Sequence, residues 1–526
     1  IRRGFVSYHV GDIPDNQEKF NPRHIEINNI NANISIRSFN PDSLSAQIKK
    51  FSFDEQTGFK LNKMSMSLEG NKDSVSIQNV EIQLPNSLFE LREATILHSG
   101  LDSLEQILDK APLRLQITPS RICLKDFSAF APVLRNYSDC VEMSASVSGT
   151  INDLLLEELL LKQNGTISLL AKMNLRSVTR PEETYLFGQV NNFHVSSDGL
   201  LHLINNFQKE SIHIPSYFTN LGNLEFNGEI SGFLDHLVAY GNLRSNIGSL
   251  KMDLLIGQRK EKNIANYFKG QVETSELNLN ALFDEGNPYG IAHFGIDVDI
   301  SRPVNGSFAG DINARINQFD YNGYRYENIL LDGKFREDEF NGMFFMDDPN
   351  GKLYAEGLFK NSDKNSEFNF FAELADFRPD KFFLTDKFEN PELNLSLNVN
   401  FTGDNVDDFA GHITVDSLSF FTLTDSFYLD TLRIETIGIK SNRKLTIASD
   451  IINGELVGNY SFRSLLPSFL ETARIDLPSL PFAEQKKEHE NIFSLTLRID
   501  DTENLSNTFK LPFTVIDSMY VYGQYN

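Results

Sequence analysis

The strongest signal along the chain is strict alternation. In LNLSLNVNF, Leu393, Leu395, Leu397, Val399 and Phe401 fall on one face of an extended segment, and Asn394, Ser396, Asn398 and Asn400 fall on the other. The same period recurs at Phe294, Ile296, Val298 and Ile300, at Leu250, Met252, Leu254 and Ile256, and at Phe493, Leu495, Leu497 and Ile499. Each segment predicts a strand with one apolar and one wet side, as antiparallel sheets allow. After Ile25 and Ile27 the pattern resumes at Ile30, Ala32, Ile34 and Ile36, so the slip at Asn28-Asn29 predicts a bulge or a turn. Hairpin turns are predicted at Asn164-Gly165, Asn227-Gly228, Asn305-Gly306, Asn322-Gly323, Asn341-Gly342, Asp348-Pro349-Asn350-Gly351 and Asn453-Gly454, because Gly supplies the positive φ that tight hairpins require.

Helical periodicity is confined to short stretches. Leu101, Leu104, Ile107 and Leu108 predict a helix over 101–112, and others are predicted at 198–207, 279–286 and 378–388. The run over 151–175 admits a buried helix at 154–161, but strands are favoured by comparison with its counterparts elsewhere in the chain. Those counterparts form a weak repeat: a strand and a short helix-like piece begin at Leu113, Phe187, Phe268 and Phe368, each followed by further alternating strands. The drifting spacing suggests a repeat array with approximate modules 1–112, 113–186, 187–267, 268–367, 368–490 and 491–526. The closing YVYGQYN reads as an unfinished strand, and the expectation is an interior segment of a longer protein.

Composition narrows the classes. With 48 Lys+Arg against 72 Asp+Glu the net charge is −24, which repels phosphate backbones, so nucleic acid is not an expected partner. Hydrophobic residues at 40% are too many for a disordered chain, and 43 Phe with no Trp suit half-buried pleated faces. No stretch approaches the apolar length of a membrane-spanning helix. Cys123 and Cys140 are the only cysteines; two isolated buried thiols are the commoner arrangement, and a single bridge is the alternative in an oxidising compartment.

Catalytic patterns are not found: there is no nucleophile elbow, zinc-protease helix or phosphate-cradling glycine loop, and no cofactor or metal is expected. Isolated histidines such as His293 and His412 read as polar strand residues. Asp347-Asp348-Pro349-Asn350-Gly351 lacks the later bidentate Glu of a calcium loop and reads as a turn. The acidic runs at 337–339 and 404–408 read as solvated turns. The triplet of Asp, Ser or Thr, and an apolar residue, centred on Ser43, Ser74, Ser103, Ser417, Thr431 and Ser518, resembles an O-glycosylation signal used by some Gram-negative bacteria on exported proteins, although strand alternation also generates it.

An apolar strand face must be covered by a second sheet, by helices or by an apolar ligand, and helices are too few here. At PSRICLKDFSAFAPVL running into VSGTINDLLLEELLL, at FNPRHIEINNINANISIRSFNPDSLSAQIKKFSFDEQTGFKLNKM, at GYRYENILLDGKF and at LTIASDIINGELVGNYSF, the chain resembles TamB-like proteins, within the AsmA-like group of bridge-like lipid transfer proteins. The resemblance implies a mainly β fold: an elongated, twisted, repeat-built antiparallel sheet curled into an apolar-lined groove, with a few short helices. It implies a non-enzymatic periplasmic bridge for phospholipid transfer between inner and outer membranes, tethered to the inner membrane by an anchor outside this segment. Leu393, Leu395, Leu397, Val399, Phe401, Phe294, Ile296, Val298, Ile300, Leu495, Leu497 and Ile499 would line its path. Two alternatives remain open: a scaffold that assists an outer-membrane barrel protein by strand pairing, and an adhesin-like stack of β-sandwiches.

Overall fold

The computed structural model describes residues 1–10, 20–40, 42–98, 110–136, 139–199, 216–259, 263–361, 366–403, 407–438, 442–462, 464–465, 491–511 and 514–525. The fold is mainly β: the described residues form twenty-eight strands, and within each of two units neighbouring strands pair antiparallel. Among the described residues the α-helices are three and short, Ser216–Asn220, Leu279–Leu282 and Glu503–Phe509. The chain divides into two units, Ile1–Gln258 with Gly270–Asn287, and Arg259–Lys269 with Pro288–Asn526.

In the first unit, strands from Gly4–His9 to Gly248–Arg259 pair in chain order. The segment around Asn28-Asn29 is one strand, His24–Asn40, with a bulge: Asn29 takes φ 54 and the register shifts between Asn28 and Asn31. The leucine-rich run forms two strands, Asp153–Gln163 and Ile167–Arg176, joined at Asn164-Gly165. Leu154 and Leu156 share a face with Leu159 and Leu161 because a register shift absorbs the exposed Glu157 and Glu158. Cys123 and Cys140 are not separate thiols. They lie opposite one another on adjacent strands, Cα atoms 4.1 Å apart, and form a disulfide. Alternation alone could not reveal this, because it depends on which two residues the hairpin register brings together.

In the second unit, strands from Tyr289–Pro303 to Met519–Tyr525 again pair in chain order. Asn322-Gly323 makes a tight turn with φ 50 and 81, and Pro349-Asn350 turns the chain beside Asp348. Three predicted turns, Asn227-Gly228, Asn341-Gly342 and Asn453-Gly454, instead lie inside the strands Leu224–Phe233, Glu339–Asp348 and Ile452–Asn459. Their glycines answer close backbone approach: a Cβ on Gly228 would meet the Tyr240 carbonyl oxygen at 2.2 Å.

The helix predicted at 378–388 is absent; this stretch is a series of turns. Its Phe382 stacks on Phe377 at 4.5 Å and packs against Ile329 and Met346, and Phe383 takes φ 59, which no α-helix accommodates. Of the other predicted helices, Leu279–Leu282 forms a single turn, while most of 101–112 and 198–207 lies outside the described residues. Glu503–Phe509 was not predicted. It is held by the Glu503 N–H donating to Asp501 Oδ1 at 2.8 Å, and it packs Leu505 and Phe509 onto Phe420, Phe427 and Leu429.

Candidate functional site: two apolar sheet faces

Directly paired residues of neighbouring strands project from the same face of a sheet. In the second unit the register links Ile296 to Ala314, Leu331, Phe344, Ala355, Ala372, Leu397, Val415 and Leu432 in one uninterrupted row. A parallel row runs from Ile300 through Gly310, Phe335, Phe340, Phe359 and Phe368 to Phe401, and continues through Gly411, Thr436, Leu445 and Leu456 to Leu495. Between them, Val298 is linked through Ile312, Gly333, Gly342, Gly357 and Phe370 to Val399, and onward through Ile413, Ile434, Ile447 and Gly454 to Leu497. Phe294 and Leu395 are joined through Ile316, Ile329, Met346, Leu353 and Leu374. Ile499 pairs with Ile452, and Leu393 with Phe420. The twelve residues predicted from alternation therefore share one face.

Burial along that face is uneven. Of the twelve, Val399 alone is buried, at 3% exposure, and the other eleven are half-buried. Three local covers close parts of the face. Phe377 and Phe382 cover Ile329 and Met346; the helix Glu503–Phe509 covers Phe420 and Leu429 and takes in Leu393; Tyr460, Phe462 and Leu465 cover Leu456 and take in Leu495. Ile296, Val298, Leu397 and their row partners Ile312 and Val415 remain half-buried outside these covers. The opposite face is mixed: Asn398 and Asn400 are exposed and Asn313 Nδ2 donates to Asp332 at 2.6 Å, while the register partners Leu330, Phe345 and Tyr354 are half-buried there.

The first unit carries an equivalent row that alternation did not single out as a site. It runs Ile36, Ala46, Leu68, Ile77, Ala94, Leu115, Val147, Leu156, Met173, Gly188, Ile230, Ala239 and Leu254. Bulges hid it, since register shifts such as the one between Ala171 and Met173 displace the apolar phase by a residue.

Two polar clusters flank the second unit's face. The buried Asp348 accepts hydrogen bonds from Tyr324 Oη, from the Glu327 N–H at 3.1 Å and from the Asn350 N–H at 2.9 Å, so it fastens a hairpin. Burial and this bond to Asp348 push the Tyr324 phenol up to about 12. At the other cluster the Arg443 guanidinium, 3% exposed, donates to the Asp407 carbonyl oxygen and lies 5.5 Å from the Tyr460 ring. Burial raises the Tyr460 phenol to about 12 although Arg443 opposes the shift. Asp407 is no solvated turn residue: its carboxylate accepts the Ser461 hydroxyl at 2.8 Å and the Phe462 N–H at 2.5 Å. Residues 404–406 of the same run lie outside the described residues, whereas Glu337-Asp338 is the expected exposed turn.

Among the described residues no three His, Cys, Asp or Glu side chains gather as a metal site, and no helix is long and apolar enough to cross a membrane. Of the glycosylation triplets, Ser43, Ser417, Thr431 and Ser518 are exposed, Ser74 is half-buried, and Ser103 lies outside the described residues. Comparisons with protein-family models, curated proteins and solved structures find no match.

Proposed function

We propose that the chain is a non-enzymatic lipid conduit, its working surface the apolar face of each unit's sheet. The observation that carries this reading is that most large apolar side chains of the second unit's long register rows are half-buried, burial being complete chiefly at small residues such as Ala314, Ala355 and Ala372 and at Val399. A face closed against a second sheet would bury such side chains almost completely, as sandwich cores do, whereas a wall for mobile acyl chains needs continuous apolar contact and one open side. The exposed Asn398 and Asn400 of the opposite face suit contact with water, and the net charge of −24 suits solubility rather than adhesion to anionic surfaces.

The resemblance to TamB-like proteins gives the conduit its setting: phospholipid passage between the inner and outer membranes across the periplasm. The Cys123–Cys140 bridge supports an oxidising compartment of that kind. A photo-crosslinking residue placed in turn at positions 397 and 398 tests the reading, using vesicles of phosphatidylethanolamine and phosphatidylglycerol. Lipid adducts at 397 and none at 398 are the expected result. Protein-only adducts at 397 would instead describe a closed core.

A further inference from the structure

Gly333, Gly342 and Gly357 are successive register partners, so three adjacent strands present no side chain along the middle of the second unit's apolar face. The gap is built into the backbone. A Cβ on Gly342 would lie 2.2 Å from the Asp332 carbonyl oxygen and 2.6 Å from Gly333 Cα. Ile312 bounds the gap on one side and Phe370 on the other.

The side chain that reaches over this trench is Phe340. Its Cζ lies 2.8 Å from where a Cβ on Gly333 would stand and 2.9 Å from the corresponding point on Gly342. Phe340 is half-buried, and its nearest aromatic neighbour, Phe359, is 6.5 Å away between ring centroids and itself stacked on Phe370 at 4.5 Å. We propose that Phe340 sets the width of the acyl-chain path, a statement that rests on the conduit reading above. The ring fills the trench by dispersion contacts alone. An unbranched acyl chain makes the same contacts and needs no polar partner, so it takes the place of the ring when χ1 rotates to another staggered position.

The test places a photo-crosslinking residue at 312, beside the trench, and in a second protein at 397, outside it, with the same phosphatidylethanolamine and phosphatidylglycerol vesicles. Phe340→Ala is expected to raise lipid capture at 312 severalfold and Phe340→Trp to lower it, with capture at 397 unchanged by either. Phe340→Leu repeats the comparison if Phe340→Ala does not fold. Equal capture at 312 in parent and variants, while 397 still captures lipid, overturns the width-setting role and leaves the conduit standing. Absence of lipid from both positions in the parent overturns both.

Discussion

Leu397 sits between Ala372 and Val415 in the register, half-buried, while its neighbour Asn398 is exposed on the other face. Leu397→Asp discriminates an open face from a closed one. On an open face the carboxylate keeps part of its hydration, so urea unfolding should stay cooperative with a loss of about 1–3 kcal/mol, the range for a partly compensated buried polar group. Loss of the folded state would indicate burial on both sides, and Asn398→Asp should be silent. Tyr324 and Tyr460 make a second residue-scale prediction. Both phenols titrate near 12 in the folded protein, against 10.0 ordinarily. A raised folded-state value contributes stability that is complete below the unfolded value and is lost as pH rises through the folded one. The unfolding midpoint should therefore hold up to about pH 10 and fall between about pH 10 and 12. Tyr324→Phe should shrink that fall, and ultraviolet titration of the phenolates provides the independent check.

At the scale of elements, period two was legible wherever a strand kept its phase, as at residues 393–401, and failed where a bulge intervened, as at Glu157-Glu158. Local sequence also could not tell a glycine that turns the chain from one that lets two strands approach, since Asn322-Gly323 and Asn341-Gly342 read alike. The difference is tertiary and gives a direct contrast. A Cβ at Gly306 meets nothing nearer than Pro303 at 3.5 Å, whereas at Gly342 it meets backbone at 2.2 Å. Gly306→Ala should change stability by less than about 0.5 kcal/mol. Gly342→Ala should cost about 2–3 kcal/mol or more, because the strands must separate to admit the methyl group. Thermal unfolding of the two variants side by side measures both. The helix Glu503–Phe509 was overlooked because it is short; its recognisable signs are Asp501 ahead of the first turn and Leu505 four residues before Phe509.

For the whole chain, alternation identified the fold class and the twelve residues of the second unit's apolar face. The pairings that turn scattered strands into continuous rows, including the first unit's row and the Cys123–Cys140 bridge, follow from register, which a single sequence does not print. The central claim is that these faces are open to lipid, and an apolar face left empty in water would be an aggregation surface. Its most direct test is to purify the chain from a membrane-containing host under mild conditions, extract it with organic solvent and quantify phospholipid per mole of protein. Phospholipid well above trace stoichiometry is the predicted result. A monomeric, cooperatively folded and lipid-free protein would contradict it.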